Sequence, residues 1–173
     1  MNQQLHSGLS IRKATLNDIY IIRDIAYTTW PIAYASILSK EALYYMLQHF
    51  YSVEALEKQF NDGHSFFIAE HHNDPVGFAG ISEIKPSVYK LHKLYVLPGV
   101  QKTGAGKALI LHCVEISRAA GATELILNVN RFNPAKGFYE KMGFKVIAEE
   151  DVDIGNGVVQ EDYIMQLRLG AKQ

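Results

Sequence analysis

The chain has 173 residues, 48% of them hydrophobic and 20% charged, with a formal net charge of −1. That length suits one domain spanning 1–173 with a proper core, and the apolar content excludes a disordered chain. The near-neutral charge argues against a nucleic-acid binder driven by phosphate neutralisation, and no apolar run approaches the roughly 20 residues of a membrane span.

Taken in chain order, Leu9 to Ala14 is a short strand, and Thr15-Leu16-Asn17-Asp18 has the Ser/Thr-x-x-acid form of a helix start. Ile19, Ile22, Ala26 and Trp30 then share one face at helical spacing, and Pro31 marks the expected end. Ser39 caps a second helix, Lys40 to about Phe50, and Ser52 a third, Val53 to about Phe60. Asn61-Asp62-Gly63 closes the helical region. Ser65 to Ala69 and Val76 to Ile84 read as a hairpin about the turn residues His72-Asn73-Asp74-Pro75. Lys85-Pro86-Ser87 separates them from a β-rich run, Val88 to Val96, which stops at Pro98-Gly99.

Helical spacing resumes from Lys107 to Ala120, with Leu109, Cys113, Ile116 and Ala120 as the stripe expected to face a sheet. Gly121 ends that helix, and Glu124 to Val129 is a strand. Asn133-Pro134 supplies an N-cap with proline at the first helical position, and Gly143 suits the residue after that short helix. Phe144 to Ala148 and Tyr163 to Leu167 read as a closing pair of strands around Gly155-Asn156-Gly157. No internal repeat, low-complexity segment or linker interrupts the chain. The N-terminus, MNQQLHSGLSIRKAT, lacks the basic start and apolar core of a signal peptide, and the single Cys113 forms no internal disulfide, so the expected location is the cytoplasm.

The stretch from Leu91 to Gly106, LHKLYVLPGVQKTGAG, is strand, glycine loop, helix start. A helix N-terminus presents unpaired N–H groups and the positive end of a dipole, which suits a phosphate. Two nucleotide loops fail on counting. A Walker A loop would need Gly where Gln101 stands and a hydroxyl where Ala108 stands. A dinucleotide fingerprint would need a small residue at Leu109. An ordinary glycine turn capping a helix is the plain alternative.

Gln101-Lys102-Thr103-Gly104-Ala105-Gly106 resembles the Gln/Arg-x-x-Gly-x-Gly/Ala pyrophosphate loop of the GNAT acetyltransferases, which bind acetyl-coenzyme A. The resemblance extends over the element order and to two further motifs. Leu94-Tyr95-Val96-x-Pro98 looks like the family's fourth strand. Asn133-Pro134-Ala135 followed by Phe138-Tyr139-Glu140-Lys141-x-Gly143-Phe144 looks like its later Asn…Tyr-Glu-Lys-x-Gly-Phe motif, although Asn133 stands six residues before Tyr139 where many members have seven. The texture around the loop is similar to the PaiA-like polyamine acetyltransferases. The resemblance implies an α/β (α+β) fold with a mixed central sheet of about seven strands flanked by four or five helices. It implies acetyl-CoA as acetyl donor, a small-molecule amine as acceptor and, by family analogy, a homodimer.

Acetyl transfer to an amine needs a bound thioester, a neutral amine, a donor to the developing oxyanion and a proton for the departing thiolate. By resemblance, Leu94, Tyr95 and Val96 lie along the pantetheine arm, and one N–H of Leu94 or Val96 serves the thioester oxygen. The Gln101 to Gly106 amides would hold the pyrophosphate, with Lys102 and Lys107 adding charge, and with Asn133 and Phe138 also on the cofactor. Tyr139 is the expected general acid; otherwise it is a buried aromatic in register with Phe138 and Met142. For the base, steps of two back from Val96 put Leu94, His92 and Lys90 on one face with no carboxylate among them. His92 is therefore the first candidate and Glu83 on the preceding strand the second; either could equally be a strand polar group without a role. Trp30, Pro31 and Tyr34 stand where this family builds its acceptor wall, binding a cation or simply stapling helices together. The histidines, including His71-His72, lack metal-ligand spacing, so no metal is expected. The missing strand-four carboxylate leaves a non-catalytic acyl-CoA sensor open beside the enzyme, and a protein N-terminus or lysine open beside a small amine.

Overall fold

The computed structural model describes residues 8–170. Seven strands form one sheet, β1 (Leu9–Lys13), β2 (Ser65–His71), β3 (Asp74–Lys85), β4 (Val88–Val96), β5 (Glu124–Asn130), β6 (Lys145–Asp153) and β7 (Val159–Arg168), in the order β1-β2-β3-β4-β5-β7-β6. Neighbours are antiparallel except β4 and β5, which run parallel. Five helices join them among the described residues: α1 (Ile19–Ala33), α2 (Lys40–Tyr51), α3 (Val53–Asn61), α4 (Ala105–Ala119) and α5 (Ala135–Lys141). This is the mixed-sheet architecture that the resemblance implied.

Local chemistry explains most boundaries. Ser39 Oγ accepts from Ala42 N–H and Ser52 Oγ from Ala55 N–H, so both serines cap as expected. Thr15 and Asp18 form the reciprocal capping box, and Arg12 on β1 donates to both Asp18 oxygens at 2.9 and 2.8 Å. Gly143 adopts φ 99° after α5, where Phe144 N–H reaches back to Tyr139 O at 3.1 Å.

Several boundaries differ from the sequence reading. α1 runs through Pro31 to Ala33, because a proline near the helix end forfeits a single hydrogen bond and Tyr34 N–H still reaches Trp30 O at 3.0 Å. The β2–β3 turn is tighter than expected: His72 and Asn73 alone take left-handed φ of 50° and 69°, and β3 already begins at Asp74. β6 and β7 are longer than the pair expected, β6 being an exposed edge strand whose polar residues hide the usual alternation. α4 starts two residues earlier, at Ala105. Its buried face runs through Ala105, Leu109, Ile110, Cys113, Val114 and Ser117, leaving Ile116 and Ala120 exposed.

The core has two parts, one on each face of the sheet. α1, α2 and α3 pack Ile22, Trp30, Leu47 and Leu56 with Phe66, Ile68 and Phe78. On the opposite face α4 packs Leu109, Ile110 and Cys113 with Ala79, Leu91, Leu125, Leu127 and Met165. Burial of the Cys113 thiol raises its pKa to about 12, so it behaves as a small apolar core residue.

Two irregularities position everything that follows. β4 pairs with β5 over Val88 to Leu91 against Glu124 to Leu127, and then the two strands part. β4 also carries a bulge: Gly80 pairs with Lys93 and Ile81 with Leu91, so His92 is an extra residue. The bulge resets the alternation. Leu91, Leu94 and Val96 pack on the α4 side, while Tyr95 packs on the α1–α3 side, and His92 stacks on His64 at 4.3 Å on that second side too. The expected shared face of His92, Leu94 and Val96 therefore does not exist.

Candidate active site

Where β4 and β5 part, a cleft of about 840 Å³ opens. Its walls come from the end of α1, from α2, from the whole of Lys90 to Val96, from the last residues of β5, from the start of α5 and from the start of β7. The cavity is continuous from Gly106 and Phe138 at one end to Trp30, Phe50 and His64 at the other.

At the first end, the glycine loop forms one short 3-10 turn, Gln101–Thr103, and Gly104 then takes φ 83° at the N-cap of α4. A side chain is strained at that angle, which is why the position is glycine. Gly104 offers no side-chain acceptor to the helix start, so the first N–H groups of α4 lack a side-chain cap. Gly106 lines the cleft and faces Val96 and Phe138. Lys102 and Lys107 are exposed beside it. Along β4, Leu97 N–H donates to Val76 O at 2.8 Å. The alternation of a strand then turns the N–H groups of Leu94 and Val96 away from β3, toward the gap where β5 would have paired. An extended ligand with its own carbonyl groups fits this edge, and an anion fits the α4 terminus beyond it.

Tyr139 sits on α5 above the same gap, 8% exposed, with its ring edge-on to Phe138 and Phe144. Burial raises its pKa above the ordinary phenol value, so the hydroxyl is protonated and able to donate. Asn133 does not point its carbonyl oxygen freely into the cleft: Oδ1 accepts from Ala135 N–H at 2.9 Å, capping α5.

The other end is aromatic. Trp30 packs against Tyr34, Tyr51 and Tyr95 at centroid distances of 4.6, 5.6 and 5.7 Å. The Tyr34 and Tyr95 hydroxyls meet at 2.8 Å, and burial raises both pKa values, so this is a neutral pair. Lys93 enters from β4, 8% exposed, with Nζ 4.7 Å from the Tyr51 ring centroid and 5.3 Å from that of Phe50. Burial, with Lys90 adding to it, pulls the Lys93 pKa down to about 7. His92 lies beside it with Nε2 2.7 Å from Ser82 Oγ, and burial, then His64 and the two lysines, lower its pKa to about 3. It is neutral throughout the physiological range and a weak proton acceptor.

Of the residues singled out from sequence, Trp30, Tyr34, His92, Leu94, Tyr95, Val96, Gly106, Asn133, Phe138 and Tyr139 line one cleft. Glu83 does not join them. It is exposed, and its Oε1 accepts from Ser87 N–H at 3.1 Å across the β3–β4 turn. Sequence reading missed Lys93, hidden in an apolar run by the bulge, and Asp162 on β7, one of two adjacent acids with nothing local to tell them apart. Asp162 is 6% exposed and lines the cleft with Asn128, which donates to its Oδ2 at 3.2 Å. Among the described residues no three His, Cys, Asp or Glu side chains gather as a metal site.

A parted β4–β5 pair, a glycine loop leading into α4 and a helical tyrosine over the gap together define an acyl-CoA-dependent transferase. Residues 20–144 match the sequence profile of the Acetyltransferase (GNAT) family. A spermidine N(1)-acetyltransferase of Thermoplasma acidophilum is 30% identical over 162 residues, 90% of this chain and 98% of that protein. A PaiA N-acetyltransferase of the same organism, solved with coenzyme A, superposes with a TM-score of 0.78 at 29% identity, covering 92% of this chain and 98% of that one. The peptidyl-lysine N-acetyltransferase YjaB of Escherichia coli is 34% identical over 103 residues, 58% of this chain and 63% of that protein. The chain belongs to the GNAT family of acetyltransferases. It is an N-acetyltransferase whose acetyl donor is acetyl-CoA.

Proposed function

We propose that this chain moves the acetyl group of acetyl-CoA to a primary amine of a small polyamine by direct attack. The observation that carries the reading is the continuity of the cavity: the slot along β4 and the aromatic chamber of Trp30, Tyr34 and Tyr51 are one space, so an amine in the chamber faces the edge of Leu94 and Val96. Aromatic walls suit a cationic chain. The similarity to a spermidine N(1)-acetyltransferase extends over 90% of the chain and supports the same acceptor class.

In this reading the bound donor supplies the acetyl thioester. The amides of Gln101 to Gly106 hold its pyrophosphate, with Lys102 and Lys107 lending charge from the rim. Leu94 to Val96 pair with the pantetheine arm as a missing strand would, one N–H of Leu94 or Val96 serves the carbonyl oxygen, and Phe138 packs alongside. Tyr139 donates to the leaving sulfur while the nitrogen of the forming amide returns a proton to the phenol oxygen, so the phenol relays a proton and no free phenolate accumulates. His92, paired with Ser82, serves as a hydrogen-bond relay at the chamber floor.

The test is an acceptor panel followed by thiol release: spermidine, spermine, a diamine, a free amino acid, an amino sugar and a lysine peptide, each with acetyl-CoA. Polyamines should give the highest kcat/KM. Acetylation of the peptide alone would replace this reading with the protein-lysine one, which the similarity to YjaB favours. A melting-temperature rise with acetyl-CoA but no transfer to any amine would leave a non-catalytic acyl-CoA sensor.

A further inference from the structure

The amine arrives largely as an ammonium and must lose a proton before it can attack, yet neither sequence candidate for that task is suited to it. Glu83 is spent on a turn outside the cleft, and His92 is stacked, bonded to Ser82 and a poor acceptor. We propose, resting on the amine-acetylating reading above, that Asp162 receives the acceptor's reactive ammonium and takes its proton.

The geometry is specific. Asp162 is 6% exposed and lines the cleft, on the strand that pairs with β5. Its register partner is Asn130, three residues beyond Leu127, which pairs with Leu91. With His92 as an extra residue, the same rise on β4 takes four residues beyond Leu91 and reaches Tyr95, and Asp162 lines the same cleft as Leu94 and Val96 on either side of it. Oδ2 accepts from Asn128, while Oδ1 has no donor among the described residues. Arg131 does not neutralise the side chain. It donates to the Asp162 main-chain oxygen at 3.3 Å and gives its guanidinium to Asp151 at 2.8 Å. A carboxylate this deeply placed, with Lys90 and Arg131 near it but no cation bonded to it, is costly to keep charged, and a ligand ammonium would supply a bonded counter-ion.

The groups facing Asp162 are Lys90 from β4, Asn128 from β5, Glu150 from β6 through the same Asn128 amide, Arg131 and, at the end of α1, Tyr34. Burial outweighs Asn128, Lys90 and Arg131 and raises the Asp162 pKa above the ordinary carboxylate value, which makes it a better proton acceptor. The step balances as follows. The ammonium gives one proton to Asp162, and the amine nitrogen bonds to the acetyl carbon as the carbon–sulfur bond breaks. The sulfur takes the Tyr139 proton, the nitrogen's second proton restores Tyr139, and Asp162 releases its proton to water.

Asp162→Asn keeps the shape and a hydrogen-bonding partner for Asn128, so the fold and the melting-temperature shift with acetyl-CoA should match wild type. kcat/KM for spermidine should fall by about 10²- to 10³-fold. The remaining rate should climb tenfold per pH unit toward the amine pKa, because only pre-neutralised amine reacts. Asp162→Glu should recover part of the loss. A butylamine control separates this role from an anchor for a distant charge: the same fall for monoamine and polyamine is expected, and a fall confined to polyamines would overturn the assignment. Wild-type turnover in Asp162→Asn would overturn it while leaving polyamine acetylation intact. Wild-type protein that binds acetyl-CoA and acetylates no amine would end both.

Discussion

The hydroxyls of Tyr34 and Tyr95 meet at 2.8 Å, joining the end of α1 to the half of β4 that has left β5. Both phenols are neutral, so the bond is an ordinary one, of about 1 kcal/mol net. Tyr95→Phe should therefore lower stability by about that amount. It should also raise KM for the amine several-fold with little change in KM for acetyl-CoA, since the wall it loosens is the one proposed above to hold the acceptor. Thermal melts and a two-substrate kinetic matrix check both halves.

Tyr139→Phe removes a proton donor and keeps the edge-on ring packing with Phe138 and Phe144. A fall in kcat of about 10²- to 10⁴-fold is expected, with acetyl-CoA affinity held within a few-fold. Titration calorimetry with coenzyme A, set beside the turnover number, reads the two separately; an unchanged kcat would remove Tyr139 from the reaction.

Lys93 makes stability depend on alkaline pH. Its folded pKa of about 7 is below the unfolded value near ~10.4, so between those limits the unfolded chain holds a proton that the folded chain has released. Stability should accordingly rise with pH across that window, by at most about 1.4 kcal/mol per pH unit from this group. Below about pH 7 the cost of burying the charge is fully present. Lys93→Met should raise the melting temperature at pH 7 and flatten the rise above it, measured as the difference between variant and wild type from pH 6 to 10.

Asp18 does the opposite at the acid end. Arg12, with Thr15, lowers its pKa below the ordinary carboxylate value. Its contribution is present above the unfolded value near ~3.9 and is lost as pH falls through the lower folded value. Asp18→Ala removes the partner of Arg12 and half of a capping box, so about 1–3 kcal/mol should go at pH 7. Difference melts between wild type and variant should shrink below pH 4.

The order of elements was legible because this chain punctuates itself: Ser39, Ser52, Gly121 and Asn133-Pro134 cap or close helices through groups only a few residues away. The glycine-loop end of the cleft was legible as structure for the same reason, being one contiguous loop with its helix and a second short motif. The aromatic end was not. His92 was placed on the wrong face because a bulge is set by the register of β3 against β4, and no residue in L-H-K-L announces it. Lys93 reads as an ordinary exposed lysine until the bulge turns it under α2. Asp162 gains its place from β5, which lies 32 or more residues earlier in the chain. Long-range pairing decides these positions, and local periodicity carries no record of it.

The four-residue seam between β4 and β5 also means that little backbone pairing joins the two halves of the sheet. Pro98-Gly99 lies between the two halves of the sheet, Gly99 has no neighbour within 4 Å of where a side chain would stand, and α4 on the far side packs back across β1 to β4. A chain severed there would give two fragments whose reunion would rest chiefly on docking α4, with little backbone pairing to hold them. A donor held as proposed above, along β4 and at the α4 loop, would lie across the junction and bind the reunited form alone, so acetyl-CoA would act as the glue of a two-piece enzyme, and the extent of reassembly would report its concentration.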